Sequence, residues 1–448
     1  MFVRAIGAAA VAAAHVWLPS TVLAAEPNID TIRQEIQDLK KLYESRINAL
    51  EEQLKSLQNK EADRSTKAAA AAPAASGRII HGNEFNPAIG VILNGKYTSF
   101  SADDSEIAGF AVGEEGERGR EGLGIDESEI NFSANADDKF YGHVTTAIVR
   151  EDGEDKVELE EAFVQTLPGA AIVDGLSLKA GRAFWTLGYL NERHSHEDDF
   201  TDRPLPNRVF LNGSYNDDGV QASLVLPTDL FMEIGGGIFR GDDYPFGNGG
   251  GNGVEAWSAY ARVGGDFGAD HAWQLGGSFL SGDSDGRESN EGDVEFIGDT
   301  NLFITDFRYV WAPTGNPRQQ ELTLQGEYFW RLEDGTYEDS DAGTGAVDYD
   351  EDDSGWYLQA VYKFLPQWRI GTRYSRLSPA NAPNGLNGSA LDADGQTPQS
   401  WSVMADWTNS EFSRLRIQYS HQELSDDEDD QLIVQYILSI GAHGAHQF

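Results

Sequence analysis

The chain has 448 residues, of which 33 are Lys or Arg and 74 are Asp or Glu, so its formal net charge is −41. This charge excludes nonspecific attraction to nucleic acid or to an anionic membrane surface. Cysteine is absent, which excludes disulfides, thiolate metal sites and a cysteine nucleophile. The 49 glycines, 11% aromatic residues and mean hydropathy of −0.45 are typical of a β-barrel that is apolar only on alternate residues.

Residues 1–25 have the pattern of a secretory signal peptide. Arg4 supplies a positively charged N-terminal region, an apolar segment runs from Ile6 to Leu18, and small residues surround a cleavage site near Ala25. The apolar run is too short to predict a membrane anchor. We therefore predict export from the cytoplasm.

Residues 28–60 predict a periplasmic coiled coil that joins copies of the chain. Apolar side chains recur there at steps of three and four, at Ile32, Ile36, Leu39, Tyr43, Ile47, Leu50, Leu54 and Leu57. A single amphipathic helix packed on a domain is the alternative. Such a stalk also makes peptidoglycan a candidate partner. Residues 61–82 form an Ala-rich linker that separates the helix from the C-terminal region of the chain.

Residues 83–448 predict an all-β fold, a transmembrane antiparallel β-barrel of about sixteen strands. Segments such as GWYLQAVYKF (355–364) alternate apolar and polar residues, with aromatic side chains near the ends. Short turns alternate with long polar connections, which include 281–293 and 333–353. A water-soluble β-sandwich does not need that alternation of lengths. The expected surroundings are outer-membrane lipid and lipopolysaccharide, with the turns in the periplasm.

The predicted strands are centred on apolar or small residues throughout this region. The centres are Val91, Phe132, Val144, Val164, Leu178, Leu224, Ile234, Ala259, Gly277, Phe307, Leu324, Ala360, Thr372, Ala405, Ile417 and Tyr436. An even number of strands returns both chain ends to the periplasm, as an exported stalk requires.

Several segments carry a family resemblance: NEFNPAIGVILNGKYTSF, LSLKAGRAFWTLGYLNERHSHEDDF, WAPTGNPR, LTLQGEYFWR, SGWYLQAVYKF, EFSRLRIQYS and the terminal GAHGAHQF. They resemble porin-like outer-membrane proteins of Gram-negative bacteria, commonly labelled zinc-regulated TonB-dependent outer-membrane receptors. LKAGRAF followed by LGYLNE is similar to phosphate-selective porins, which are trimers. The final strand, ending in Phe448, resembles the one that barrel assembly machinery recognises.

The resemblance implies a barrel, a link to zinc and a homotrimer. The TonB-dependent label also implies a plug domain ahead of a 22-stranded barrel. No segment before residue 83 predicts a folded plug, and the remaining chain is too short for 22 strands with such long loops. We therefore expect diffusion and not energised uptake.

ERHSHEDDFTD (192–202) is a candidate metal site in the long connection after the fifth strand. In general porins a loop near this place enters the barrel, which the resemblance implies here. Neutral imidazole with carboxylates suits Zn²⁺, so transient contact with Zn²⁺ or another divalent cation is one interpretation, although a polar constriction is the favoured one, and no resident cofactor is predicted. The candidate ligands are His194, His196, Asp198, Asp199 and Asp202. The favoured polar constriction is balanced by Arg193 and Arg203. His443 and His446 form a second candidate pair, or they merely end the last strand.

Charged residues opposite the lipid-facing rows predict the lining of a water-filled lumen. The candidates are Lys179, Arg262, Arg308, Glu327, Arg331, Arg369, Arg373 and Arg416. They indicate either anion selectivity or a wall kept solvated by paired charges. The acidic loops, by contrast, indicate either that cations are concentrated at the mouth, or that the loops bridge lipopolysaccharide phosphates through divalent ions or simply aid solubility.

The sequence therefore predicts an outer-membrane porin-like channel for small hydrophilic solutes, including divalent cations such as zinc. The alternatives are an anion or phosphate porin, a TonB-dependent type of metal receptor without a plug, and an outer-membrane tether or adhesin. No GxSxG, Walker or HExxH motif is present, and the sequence does not predict an enzyme.

Overall fold

The computed structural model of the protein describes residues 87–441, apart from residues 104, 152–153, 172 and 248–252. The predicted signal peptide, coiled coil and linker lie outside the described residues. So do His443, His446 and Phe448. These assignments remain predictions.

The described residues form seventeen β-strands and one α-helix. The strands are β1 (Ala88–Ser99), β2 (Gly122–Ile125), β3 (Ser128–Asn135), β4 (Phe140–Glu151), β5 (Glu154–Thr166), β6 (Leu176–Phe184), β7 (Asn216–Val225), β8 (Phe231–Phe239), β9 (Ala256–Phe267), β10 (His271–Ser289), β11 (Val294–Trp311), β12 (Glu321–Asp339), β13 (Val347–Leu365), β14 (Trp368–Ser378), β15 (Gln399–Ser410), β16 (Ser413–Glu423) and β17 (Glu428–Gly441). Helix α1 spans Leu205–Leu211, and single 3₁₀ turns lie at Glu114–Gly116, Ser195–Glu197 and Asn290–Gly292.

The strands close into one antiparallel barrel. Strand β1 pairs with β17 along one edge, from Gly90 opposite Gly441 to Ser99 opposite Leu432. Along its other edge β1 pairs with both β2 and β3, which occupy a single strand position. The barrel therefore has sixteen positions, and the predicted fold is confirmed. All sixteen predicted centres lie within strands, and β2 is a short extra piece that the sequence did not predict.

The outer face of the barrel is apolar. Leu358, Trp401, Val403, Ile417 and Tyr436 are between 41% and 49% exposed, whereas their neighbours along each strand point inward. A closed barrel satisfies its backbone hydrogen bonds and leaves no edge, and an apolar exterior suits hydrocarbon. The protein is an outer-membrane β-barrel. Within the described residues, none of the helical segments has the length and apolar character needed to span a bilayer.

Two segments predicted as loops are largely strand. Strand β10 continues to Ser289 within 281–293, and β12 and β13 leave only residues 340–346 between them within 333–353. The polar composition of these segments is the reason for the wrong prediction. Their inward residues pair with each other, as Arg287 Nη1 does with Glu333 Oε1 at 2.6 Å, while their outward residues face water.

Candidate functional site

The connection between β6 and β7, residues 185–215, folds into the barrel; we call it the inserted loop. Its backbone accepts hydrogen bonds from strands far apart around the wall. Lys96 Nζ of β1 donates to the Thr201 carbonyl at 3.2 Å, and Arg262 Nη2 of β9 donates to the Gly188 carbonyl at 2.7 Å. Only a segment that crosses the lumen can reach both walls.

Apolar packing fixes the second half of the inserted loop. All residues of α1 are buried, and the Phe210 ring lies edge-on to Phe110 with centroids 6.0 Å apart. On its other side the Phe210 ring stacks on Phe329 of β12 at 5.8 Å. This apolar anchor holds the polar part of the loop, residues 192–202, in the lumen.

The three predicted aspartate ligands pair with arginines and not with the histidines. Asp198 Oδ2 lies 2.9 Å from Arg203 Nε. The other pairs join the loop to the wall: Asp199 Oδ1 with Arg369 Nη1 at 2.7 Å, and Asp202 Oδ1 with Arg373 Nη2 at 2.8 Å. The aspartates therefore belong to a charge-balanced constriction.

Burial acts to raise the pKa of each aspartate and the nearby arginines act to lower it. Which of the two influences prevails differs among the three residues. At Asp199 burial is the largest single influence, but Arg369 together with the other nearby arginines outweighs it, and the pKa of Asp199 is lowered. At Asp202, Arg373 together with the hydrogen bond from Gln418 outweighs burial, and the pKa of Asp202 is also lowered. Burial wins at Asp198, whose pKa rises to about 6 despite Arg203. Asp198 is therefore the one of these three that titrates near neutral pH.

The predicted histidines lie together against the barrel wall. Their rings stack with centroids 5.6 Å apart. His196 Nδ1 is 2.6 Å from Glu129 Oε1 and His194 Nδ1 is 3.4 Å from Glu129 Oε2. His194 Nε2 is 3.1 Å from Glu161 Oε2. The structure thus brings the two histidines to wall glutamates of β3 and β5.

The environment of His194 is acidic. Burial acts to lower its pKa, but the charge of Glu129 and the close contacts with Glu129, Glu160 and Glu161 together outweigh burial. The pKa of His194 is therefore raised well above its usual value. A cation, whether a proton or a metal ion, is favoured at this imidazole.

Five of the predicted lining residues contact the inserted loop through hydrogen bonds or ion pairs: the four arginines described next, and Glu327. Arg262 donates to the Gly188 carbonyl, and Arg369 and Arg373 pair with the loop aspartates. Arg416 of β16 donates to the Asp198 carbonyl. These side chains hold the loop across the lumen.

The other predicted lining residues also lie inside the barrel. Arg308 lies over the Tyr189 ring, 5.5 Å from its centroid, and Lys179 lies 4.7 Å from the Phe163 centroid. Glu327 accepts hydrogen bonds from the Tyr189 amide and from the Tyr357 hydroxyl. Arg331 pairs with Asp353 at 2.6 Å and lies over the Phe210 ring.

The sequence did not indicate several residues that contact the inserted loop: Lys96, Glu127, Glu129, Glu160 and Arg414. Ser195 donates to Glu127, Glu160 lies beside His194, and Arg414 donates to the His196 carbonyl. Glu129 alternates with Ile130 and Phe132, a pattern that predicts an inward glutamate. Glu160 carries no such signal, because its orientation depends on a local irregularity of β5.

Two cavities flank the inserted loop. One, of about 380 Å³, lies toward the short turns and is lined by Arg318 and Lys363 together with loop residues 193 and 197–199. The other, of about 1260 Å³, lies toward the long connections and is lined by residues 114–115 and 117–127 together with loop residues 201–203 and 208. The loop therefore forms the constriction between two polar spaces.

Comparison with solved structures relates this architecture to known barrels. The outer membrane channel DcaP of Acinetobacter baumannii superposes with a TM-score of 0.51 at 11% identity, covering 79% of this chain and 97% of that one. An anion-selective porin from Comamonas acidovorans superposes with a TM-score of 0.50 at 10% identity, covering 79% and 99%. The fold is porin-like.

Sequence comparison adds one relative without a known role. An uncharacterized protein of Aquifex aeolicus strain VF5 is 26% identical over 395 residues, which covers 81% of this chain and 80% of that protein. No family model matches the chain. The porin-like barrel is thus established by its architecture, and its solute preference has to be argued from the site.

Proposed function

We propose that this protein is an outer-membrane channel through which small hydrophilic solutes diffuse. The observation that carries the proposal is the inserted loop, which crosses the lumen between two polar cavities and is held there by Arg369, Arg373 and Arg416. A loop of this kind narrows a barrel and leaves a charged passage. The proposed assembly is a homotrimer joined through the N-terminal coiled coil.

The charge of the larger cavity supports a preference for cations. Among the described residues that line it, nine are acidic and six are basic. The acidic connections around residues 341 and 426–430 add to this field at the mouth. Clefts lined by one sign of charge raise the local concentration of the opposite ion. Divalent cations such as zinc are therefore favoured solutes.

The smaller cavity favours the second candidate function, an anion channel. Six basic and four acidic side chains line it among the described residues. A solute must pass both cavities, so the measured selectivity depends on which field dominates at the constriction. The cation channel is preferred because the larger cavity and the acidic connections at the mouth carry the greater excess of charge.

Reversal potentials in planar bilayers test the proposal. The purified full-length protein should give stepwise conductance, and under a KCl gradient the reversal potential should have the sign of a cation preference. The opposite sign would establish the anion channel. Absence of conductance would support a tether or adhesin, and uptake that stops when the proton motive force is removed would support a TonB-dependent receptor.

Zinc block of the conductance tests the contact with the histidines. The double variant His194→Ala with His196→Ala should require a higher zinc concentration for half-block. His421→Ala is the matched control, because this histidine contacts Asp430 at 2.8 Å and lies away from the inserted loop. If block is the same in both variants, the histidines do not contact permeating zinc.

A further inference from the structure

Four potential metal ligands converge on the wall beside the inserted loop. One nitrogen of His194 and one carboxylate oxygen each of Glu127, Glu129 and Glu160 lie within 4.8 Å of one another. They come from the link between β2 and β3, from β3, from β5 and from the loop. We call this set the His194 cluster.

Two irregularities of the backbone create the His194 cluster. Glu127 lies where β2 and β3 are interrupted. In β5, Glu161 pairs with Thr145 but Leu159 pairs with Thr146, so Glu160 is the extra residue of a β-bulge. Side chains at adjacent positions of a regular strand point to opposite faces. Here both Glu160 and Glu161 reach His194, at 3.6 and 3.1 Å. Bulges often re-aim side chains at functional sites.

Two oxygens of the cluster are buried without a hydrogen bond. Among the described residues, Glu129 Oε2 and Glu160 Oε2 accept none, and the Glu129 side chain is only 1% exposed. Both oxygens face His194 Nδ1, at 3.4 and 3.6 Å. Burial of such an oxygen is unfavourable unless a cation or donor compensates for it. Ligand atoms about 2.1 Å from a tetrahedral zinc ion are about 3.4 Å apart, which matches these separations.

Neighbouring groups hold the ligands in orientation. Glu161 Oε2 contacts Nε2 of His194, so Nδ1 of that ring is directed at the cluster. His196 holds the other oxygen of Glu129 at 2.6 Å, and Ser195 Oγ donates to Glu127 Oε2 at 2.8 Å. Metal-ligating histidines and carboxylates are commonly fixed by such outer contacts.

We propose that Glu127, Glu129, Glu160 and His194 bind one divalent transition-metal ion that ties the inserted loop to β3 and β5. One imidazole nitrogen with carboxylate oxygens suits Zn²⁺, Mn²⁺ or Fe²⁺ better than Mg²⁺ or Ca²⁺. The resident ion goes beyond the proposed channel function, because it clamps the loop whichever solute passes. Its loss removes this tie to β3 and β5, while the arginine contacts and the barrel remain.

Calorimetry of the full-length protein in detergent, treated with chelator, tests this site. Zn²⁺ should bind at one ion per chain, and Mg²⁺ should bind far more weakly. Glu127→Gln and Glu160→Gln should each weaken Zn²⁺ binding by about tenfold or more. Glu338→Gln is the matched control, because this glutamate is exposed on β12 and outside the cluster; its affinity should equal that of the parent protein.

Folding is checked for each variant by the change in gel migration on heating, which reports a closed barrel. A second readout is thermal unfolding: Zn²⁺ should raise the melting temperature of the parent protein and not that of Glu160→Gln. Failure of the parent protein to bind Zn²⁺, or equal affinity in all three variants, overturns the site. Conductance measured on the same samples judges the channel function separately, since an open channel without zinc binding contradicts only the metal site.

Discussion

Arg369 of β14 and Asp199 of the inserted loop form an ion pair, with 2.7 Å between Nη1 and Oδ1. The same guanidinium also donates through Nε to Asp406 Oδ2 at 3.0 Å. One arginine therefore neutralises a carboxylate of the loop and one of the wall. The charge at the constriction depends on this arrangement.

Replacement of this arginine should make the channel more selective for cations. Arg369→Gln leaves Asp199 and Asp406 facing the lumen without their main counter-charge, so the reversal potential should shift in the cation direction. The variant should also unfold at a lower temperature because Asp406 is buried. The loss should be smaller than the about 3–5 kcal/mol of a fully buried pair, since Arg369 and Asp199 are partly exposed. Arg376→Gln, exposed on the same strand, is the control. Equal reversal potentials for the two variants would contradict the role of Arg369.

Selectivity should depend on pH through Asp198. Burial raises its pKa to about 6, above the value of about 3.9 of an unfolded aspartate, so the folded protein takes up a proton as the pH falls through 6. This proton uptake contributes stability that is fully present below about pH 3.9 and is lost as the pH rises through about 6. Cation preference should therefore decrease between about pH 7.5 and about pH 5.

Two variants check the assignment to Asp198. Asp198→Asn should remove this change of reversal potential, because no proton is bound in that range. Asp199→Asn should retain it, because Arg369 lowers the pKa of Asp199 and that group titrates below the range. A pH response that persists in Asp198→Asn shows that another group causes it.

The sequence predicted the barrel well because the alternation that marks a strand involves residues that are neighbours in the sequence. Period-two alternation located all sixteen strand positions, whereas β2, with the sequence GLGI, is too short to alternate clearly. The length and position of the inserted loop were also visible, and so were its two histidines. The contacts that each of these loop residues makes were not visible in the sequence.

The partners of the loop could not be read from the sequence because they come from distant strands. Asp202 pairs with Arg373, 171 residues away, and nothing local distinguishes that aspartate from a metal ligand. Glu160 was missed because a bulge changes the face on which its side chain lies. Such shifts arise from pairing between strands and break the alternation on which sequence reasoning depends.

The base of the inserted loop should open when Asn191 is replaced. Its Nδ2 donates to the carbonyls of Trp185 and Tyr215, and its Oδ1 accepts from the Tyr215 amide at 2.6 Å. Asn191→Ala leaves these groups unpaired, at about 1–3 kcal/mol for each buried group. We expect higher conductance and protease cleavage within the loop. The exposed Asn387→Ala is the control, and intact loops in both variants would contradict this role.

A charged side chain placed on the lipid-facing surface should destabilise the barrel. Leu358 lies on the outer face of β13, where it is 45% exposed, and an arginine near the middle of the bilayer costs about 2–4 kcal/mol. Leu358→Arg should therefore lower the denaturant midpoint of the barrel in lipid vesicles. Asn409→Arg, exposed near a short turn, should have little effect because its side chain reaches water. If both variants unfold at the same midpoint, the outer face of β13 does not contact hydrocarbon.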